Sequence, residues 1–378
     1  MIYSHDHLKH SSDDIDAVDK RSSDSIDKEI KKEYVWPTVL NEEPSDGWPD
    51  ITTDSTDTLS CNGQLRLFIT TWNLQAHKPP NDLSSFLKPG SFHLYAIGTE
   101  ECVNSIAKSV VFTSKKEWEN KLCETLGLEY TIVASHGLQA IHNIVFVHTS
   151  LLPLISNVHS SAIATGLGNT LGNKGGIGIT LSVNKTTFLF VSCHFEAHQN
   201  RVAKRNDNYS KINRELKLFK TSRGKDASAS CDRVFWSGDF NYRINGTRKM
   251  VDSLLYNNMH DVLYANDQLH LQKSQGHVFP HFKEGPLHFK PTYKYDRGTC
   301  IYDTSHKKRI PAWTDRILYK SKKESTVKLR TYASFDTITT SDHRPVYAIF
   351  DVEFESSREK HHGSPPTQHT RSEVCLIS

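Results

Sequence analysis

Residues 235–243 read Phe-Trp-Ser-Gly-Asp-Phe-Asn-Tyr-Arg, and residues 311–318 read Pro-Ala-Trp-Thr-Asp-Arg-Ile-Leu. In each stretch, an apolar pattern typical of a buried strand runs directly into carboxylates, amides and arginines. Because side chains alternate along an extended chain, we expect Asp239, Asn241 and Arg243 to lie on one side. An acid, an amide and a cation on one edge can take a proton, orient an anionic oxygen and hold it. The pattern therefore indicates phosphoryl transfer to water.

The composition limits the possible classes of protein. The 378 residues could form two or three domains or one large α/β domain, and the 37% of hydrophobic residues suffices for a core. A formal net charge of +3 gives no global sign of a nucleic-acid partner, so we expect none and look for a local anion site. Seven scattered cysteines without a C-x-x-C pair indicate reduced thiols and a cytoplasmic protein. No apolar run or N-terminal pattern predicts a membrane span or signal peptide.

Three regions of the chain differ in composition. Residues 1–60 are rich in Ser, Asp and Lys, and we predict a disordered segment there. Strand patterns recur through residues 61–355, which we predict to form the catalytic domain. Residues 356–378 are polar again and predict a flexible tail. The tail ends in Cys-Leu-Ile-Ser, so Cys375 heads a C-a-a-X box of the farnesyl type, although so short a pattern also arises by chance.

The apolar patterns predict many strands with helices between them. A helix is predicted over 115–127, where Trp118, Leu122 and Leu126 share one face, and a second over 199–219. Strands are predicted at 65–73, 93–98, 130–135, 143–148, 176–183 and 186–195, among others. Since strands and helices do not alternate strictly, the pattern predicts an α+β sandwich.

The two quoted stretches resemble a known family. They are similar to the W-x-G-D-x-N-x-R and P-A-W-C-D-R-I-L signatures of the inositol polyphosphate 5-phosphatases, with Thr314 in place of the usual Cys. The resemblance covers roughly residues 64–355. It implies the exonuclease–endonuclease–phosphatase fold, a two-sheet β-sandwich flanked by helices. It also implies Mg²⁺-dependent hydrolysis of the 5-phosphate of inositol polyphosphates, with phosphatidylinositol 4,5-bisphosphate giving the 4-phosphate.

The resemblance assigns ligands to the Mg²⁺ ion. Asn73, at the end of the first strand, and Glu101, at the end of the second, would hold the metal, and Asp342 would lie on its water side. Glu100 stands where the family usually has Gln, which leaves the two adjacent glutamates open to confusion. Carboxylate and amide oxygens are the hard ligands that Mg²⁺ takes in proteins.

The resemblance also assigns catalytic roles. Asp239 would activate the attacking water, while Asn241, His194 and His343 would hold the phosphoryl oxygens. Asp315 would orient the ring of His343. His198, four residues beyond His194, receives no role.

Two segments, one glycine-rich and one basic, are predicted to bind substrate. In the glycine-rich stretch 166–176, Asn173 and Lys174 would lie near the inositol 1-phosphate and the membrane face. The basic and aromatic stretch that begins at residue 289 would read the neighbouring 4-phosphate. The residues that carry over there are Tyr293, Lys294, Lys307 and Arg309.

Two alternatives remain open from the sequence. A nuclease or sphingomyelinase on the same fold would share the acidic and His groups but has no reason to carry the basic stretch. A non-catalytic phosphoinositide-binding module would have lost one of four groups, and all are present: Glu101, Asp239, Asn241 and His343. We expect a monomer in the cytoplasm, held peripherally on the cytosolic face of a membrane through a prenylated Cys375.

Overall fold

The computed structural model describes residues 62–102, 115–166, 173–218 and 226–355. The predicted disordered segment, the predicted tail with Cys375 and most of the glycine-rich stretch lie outside these residues. The domain boundaries at 61 and 355 stay predictions. Within the described ranges, no helix is long and apolar enough to cross a membrane.

Two six-stranded sheets form the body of the molecule. The first has the order β11-β12-β1-β2-β4-β3 and consists of β1 (Gln64–Asn73), β2 (Leu94–Glu100), β3 (Tyr130–Leu138), β4 (Ile141–His148), β11 (Val327–Ser334) and β12 (Val346–Glu353). The second has the order β5-β6-β7-β8-β10-β9 and consists of β5 (Ile155–Ala164), β6 (Gly175–Val183), β7 (Thr186–His194), β8 (Arg233–Asp239), β9 (Lys283–Glu284) and β10 (Asp315–Ser321). The predicted α+β fold with two sheets is confirmed.

The two sheets pack face to face on a central apolar core. Leu67 and Ile69 of β1 belong to the same buried cluster as Phe188 of β7 and Phe235 of β8. The rings of Phe235 and Phe350 lie 5.0 Å apart across this layer. Burying one large apolar side chain contributes roughly 1.5–3 kcal/mol, so this layer is the main stabilising feature of the sandwich.

Helices cover both outer faces. The described helices are α1 (Ser84–Leu87), α2 (Lys116–Leu126), α3 (Val202–Glu215), α4 (Ala227–Ser230), α5 (Arg248–Tyr256), α6 (His260–Ala265) and α7 (Gln268–Ser274), with a 3₁₀ turn at Thr149–Leu154. In α2, Trp118, Leu122 and Leu126 pack on the outer face of the first sheet as their spacing predicted. The helix predicted over 199–219 is shorter and spans Val202–Glu215. From α3, Arg205 Nη1 donates to the carbonyl of Glu196 in the preceding loop at 3.2 Å.

Candidate active site

The ends of the central strands bring the predicted catalytic residues together. In the second sheet, His194 pairs with Asp239 between β7 and β8, and Asp239 pairs with Asp315 between β8 and β10. Asn73 ends β1 in the first sheet, and its Nδ2 donates to Asp239 Oδ2 at 3.1 Å. We call Asn73, His194, Asp239, Asp315 and His343 the strand-end cluster; all five are buried.

Gly238 allows β8 to lie close to β7 at the site. Its φ is +149°, and a Cβ there would lie 2.0 Å from the carbonyl oxygen of Cys193. Only glycine fits, because any side chain would push β8 away from β7. The glycine of the Trp-Ser-Gly-Asp stretch therefore sets the distance between Asp239 and His194, whose Oδ2 and Nε2 are 3.2 Å apart.

Asp239 is held as a carboxylate. Burial acts to raise its pKa, but the neighbouring charges of His194, His343 and Lys174 outweigh burial and hold the pKa well below its usual range. The backbone N–H of Asn241 also donates to Oδ1 at 3.0 Å. An anion beside these groups would offset their effect and raise the pKa of Asp239 again.

Asp315 fixes the ring of His343. Nδ1 of His343 donates to Asp315 Oδ2 at 2.9 Å, as the predicted orienting role requires. The same carboxylate oxygen accepts from Thr292 Oγ1 at 2.6 Å and from Thr314 Oγ1 at 2.8 Å. Thr314, to which the sequence assigned no role, therefore helps to hold the carboxylate that orients His343.

The charge of His343 follows from its carboxylate neighbours. Burial acts to lower its pKa, but Asp315, Asp342 and Asp239 outweigh burial and raise the pKa to about 10. At neutral pH the ring is therefore protonated, and Nε2 is a hydrogen-bond donor. A protonated imidazole can hold a phosphoryl oxygen as negative charge develops on it.

The two adjacent glutamates have different environments. Glu100 is fully buried between the sheets, where it accepts from Thr71 Oγ1 at 3.1 Å and from Ser192 Oγ at 3.3 Å. Burial raises its pKa well above the usual range, and the charges of Asp239 and Asp315 add to the shift. Burial therefore favours the protonated form of Glu100, which has a donor and an acceptor like the amide that the family usually carries.

Glu101 follows the strand in a turn with a φ of 50° and is partly exposed. Burial lowers the pKa of Lys174 and of His194, and the carboxylate of Glu101 acts against this shift in both. The partly exposed Glu101 therefore acts electrostatically on Lys174 and His194, whereas Glu100 is buried between the sheets. This arrangement leaves Glu101 as the carboxylate available to a cation, and its metal-binding role stays a prediction.

Asp342 lies beside His343, with its Oδ1 3.9 Å from Nε2 of the ring. Its Oδ2 accepts from Lys294 Nζ at 2.7 Å and from Gln75 Nε2 at 2.8 Å. The structure therefore joins in one ion pair two residues for which the sequence predicted separate roles. Asp342 was predicted to lie beside the metal, and Lys294 was predicted to bind the 4-phosphate.

Lys174 lies at the edge that carries the strand-end cluster. Its Nζ contacts Nε2 of His194 there, and its predicted place near the inositol 1-phosphate and the membrane face stays a prediction. The reason is register: Gly175, the first residue of β6, pairs with His194, which brings the preceding lysine to the same edge. Asn173 is exposed at the border of the described residues.

The expectation that Asp239, Asn241 and Arg243 share one side of an extended strand is wrong. Strand β8 ends at Asp239, and Asn241 adopts a left-handed φ of 55°. The Asn241 amide donates to the carbonyl of Phe195 at 3.1 Å, and its Oδ1 accepts from Arg243. The Arg243 guanidinium in turn lies 4.4 Å from the ring centre of Tyr293.

A cleft of about 370 Å³ opens beside the cluster. Tyr293 borders both regions, since it lines the cleft and its ring lies 4.7 Å from the ring of His343. Basic side chains make up most of the rest of the lining. We call these side chains the basic cleft: His198, Arg243, Arg248, Lys307, Lys308 and Arg309.

The sequence predicted only part of this cleft. Lys307 and Arg309, which were predicted to bind a phosphate, line the cleft. His198, Arg248 and Lys308 also line it, and the sequence gave them no role. Lys308 lies between Lys307 and Arg309 in the sequence, so the run of three cations could have predicted that it lines the same cleft. Arg248 comes from the first turn of α5, and no local pattern connects it with the run.

A buried arginine holds one wall of the cleft. Arg205 Nη1 donates to the carbonyl of His198 at 2.7 Å, and Nη2 donates to Gln268 Oε1 at 2.6 Å. The same Gln268 oxygen accepts from the backbone N–H of Arg243 at 2.9 Å. These bonds fasten two cleft segments to α3 and α7, and the sequence gave no sign of them.

Residues 70–349 match the Endonuclease/Exonuclease/phosphatase family 2. Human phosphatidylinositol polyphosphate 5-phosphatase type IV is 35% identical over 311 residues, which cover 78% of this chain and 47% of that protein. Mouse phosphatidylinositol 4,5-bisphosphate 5-phosphatase A is 35% identical over 318 residues, covering 77% of this chain and 31% of that one. The chain thus spans half or less of the length of these curated relatives.

The match to one solved structure covers most of both chains. The inositol polyphosphate 5-phosphatase domain of SPsynaptojanin, in complex with inositol (1,4)-bisphosphate and a calcium ion, is 33% identical with a TM-score of 0.69. The match covers 77% of this chain and 85% of that one. On its fold, its motifs and these similarities, the chain belongs to the inositol polyphosphate 5-phosphatases of the endonuclease/exonuclease/phosphatase family.

Proposed function

We propose that this chain hydrolyses the 5-phosphate of inositol polyphosphates and phosphoinositides with Mg²⁺ as cofactor. The proposed substrate is phosphatidylinositol 4,5-bisphosphate, and the proposed product is the 4-phosphate. The observation that carries the proposal is the contact of the strand-end cluster with the basic cleft through Tyr293. One region can act on a phosphate while the other binds a neighbouring phosphate on the same ring.

The donors at the strand ends fit a divalent cation. Ligand atoms of Asp239, Asp315 and His343 lie within 4.8 Å of one another, and Asn73 is bonded to Asp239 beside them. Asp315 and His343 are engaged with each other. The family resemblance gives the ligand roles to Asn73 and Glu101, which would hold Mg²⁺ beside Asp239. When bound, Mg²⁺ would supply positive charge to polarise the phosphoryl group and to stabilise the leaving oxygen.

The chain's own residues supply the remaining chemistry. Asp239, held ionised, would take a proton from the water that attacks phosphorus. Protonated His343 would hold a phosphoryl oxygen, together with His194 and the amine of Lys174 next to it. The bond between phosphorus and the inositol oxygen breaks as the water oxygen adds, so this route forms no covalent phosphoenzyme.

Phosphate release from a defined panel tests the proposal. The panel contains phosphoinositides and soluble inositol phosphates with and without a 5-phosphate, each assayed with Mg²⁺ and with a chelator. Single-stranded DNA and sphingomyelin serve as substrates for the two alternative activities on this fold. We expect release only from substrates with a 5-phosphate; cleavage of DNA or sphingomyelin without such release would overturn the proposal.

We further propose that the protein attaches to the cytosolic face of a membrane through Cys375. The proposal rests on the Cys-Leu-Ile-Ser sequence at 375–378. One prenyl chain gives only marginal, reversible attachment, so we expect partial membrane association. Fractionation of cells should show that Cys375→Ser or a prenyltransferase inhibitor releases the protein, whereas Cys300→Ser does not. Equal membrane fractions in all samples would contradict prenylation.

A further inference from the structure

The loop 303–309 carries three consecutive cations without a regular backbone to support them. Lys307, Lys308 and Arg309 all line the cleft, and the loop has neither helix nor strand. Within the described part of the chain, none of the three forms an ion pair with a carboxylate. Like charges so close repel one another, so the loop needs other bonds to hold its shape.

One side chain outside the loop binds both of its ends. Arg248 Nη1 donates to the carbonyl of Asp303 at 2.8 Å and to the carbonyl of Arg309 at 3.1 Å. Inside the loop, the buried Asp303 carboxylate accepts from the backbone N–H of Arg309 at 2.7 Å and of Ser305 at 3.1 Å. Together these bonds fix where the loop begins and ends relative to the cleft.

A second partner orients Arg248 itself. Its Nε donates to both carboxylate oxygens of Asp252, one turn further along α5, at 2.7 Å each. This placement is unfavourable for the helix, because a cation in the first turn opposes the helix dipole. An ion pair in which the cation precedes the anion also stabilises a helix less than a pair in the reverse order. Because Arg248 is unfavourable for its own helix, we infer that its contacts with other parts of the fold are more important than its contribution to the helix.

We propose that Arg248 is a positioning residue that sets substrate selectivity by holding the loop 303–309 against the cleft. The proposal rests on the proposed 5-phosphatase function. Through the two carbonyl bonds, Arg248 aligns Lys307 and Arg309 with the phosphate that neighbours the scissile one. Substrates that lack this neighbouring phosphate do not depend on the loop, so Arg248 matters little for them.

Kinetics on a matched pair of substrates tests the inference. Short-chain phosphatidylinositol 4,5-bisphosphate and phosphatidylinositol 5-phosphate are compared in wild type, Arg248→Met, Arg248→Lys and Lys249→Met, with folding checked by thermal unfolding. Lys249 is exposed on the same helix and serves as the control. We expect Arg248→Met to lower the ratio of the two kcat/KM values about tenfold, mainly through KM, which corresponds to the loss of one charge-assisted contact. Arg248→Lys should recover part of the ratio, and Lys249→Met should keep it.

A second comparison separates positioning from direct binding. Arg248→Met is added to a Lys307→Ala, Arg309→Ala double variant, in which the loop has already lost its two aligned cations. A positioning role predicts no further fall in the ratio, because the effects are not additive. A further fall of the full size, or an equal loss on both substrates in the single variant, would overturn the inference. A wild-type protein inactive on both substrates would instead overturn the proposed function.

Discussion

The strand-end cluster and the basic cleft lie side by side but are held in different ways. In the cluster, the registers of β7, β8 and β10 set the positions of His194, Asp239 and Asp315. In the cleft, side chains such as Arg205 and Arg248 fasten irregular loops to helices. A sheet register cannot shift by a fraction of a residue, whereas a loop held by two or three bonds can adjust. The geometry of the strand-end cluster is therefore fixed by the fold, whereas the selectivity proposed for the basic cleft would depend on a few replaceable contacts.

Substitution in the cluster should have the largest effect. Asp239→Asn keeps the size of the side chain but removes the base, so we expect turnover to fall by about 10²–10⁴-fold with folding intact. Asp232→Asn, at the other end of the same sheet, is the control, since Asp232 bonds Thr187 and Lys322 far from the cluster. Phosphate release by purified proteins is the measurement. More than about a tenth of the wild-type rate in Asp239→Asn would contradict the assignment.

The adjacent glutamates offer a matched pair at the border of the cluster. Glu101→Gln should raise the Mg²⁺ concentration needed for half-maximal activity by at least about tenfold, because a charged ligand is lost. Glu100→Gln should change it little, because burial already disfavours the charged form of Glu100 and Gln has the same shape. Magnesium titrations of both variants decide the point. A larger effect at Glu100 would place the ligand one residue earlier than proposed.

Substitution in the cleft should affect selectivity more than turnover. Lys307→Ala and Arg309→Ala should each lower kcat/KM about tenfold or more on substrates with a 4-phosphate, since charge-assisted hydrogen bonds contribute roughly 1.5–3 kcal/mol. Substrates without that phosphate should be affected much less. Lys328→Ala, on β11, is a control outside the cleft. Equal losses on both kinds of substrate would mean that the two cations support the loop rather than bind phosphate.

The last comparison concerns stability rather than activity, through its pH dependence in the metal-free protein. The folded-state pKa of His343, about 10, lies above the unfolded value of about 6.5. Its contribution to stability is therefore fully present below pH 6.5 and is lost as pH rises through about 10. Asp315→Asn should flatten this part of the profile. Urea unfolding of both proteins across that range, with chelator present, measures it; unchanged profiles would contradict the pairing.

The contrast between the two regions also explains what the sequence could predict. Fold class, strand positions and the cluster at the strand ends were predictable, because strand patterns ran directly into the motif residues. The contact of Lys174 with His194 was not, since it depends on which residue of β7 pairs with Gly175. The path of the chain after Asp239 was also missed, because the left-handed turn at Asn241 leaves no clear signal in an apparently continuous strand pattern.

The bonds that hold the cleft are the part that sequence patterns do not encode. Arg248 and the loop it binds are about sixty residues apart in sequence, and Arg205 and Gln268 are equally distant from each other. Arg248, Arg205 and Gln268 are each a single polar residue on a helix. No sequence pattern identifies the residues that they bind in the folded chain. Residue types predicted a phosphate-binding role for this region, but they did not predict how its loops are held.

The position of the phosphate that is removed tests the central claim most directly. Phosphorus NMR of the products from inositol 1,4,5-trisphosphate can show whether the phosphate is lost from position 5 or from another position. With Mg²⁺, the wild-type protein should give inositol 1,4-bisphosphate and inorganic phosphate as the products, and Asp239→Asn should give neither at a comparable rate. Loss of the 4- or 1-phosphate, or release that continues unchanged in Asp239→Asn, would contradict the account.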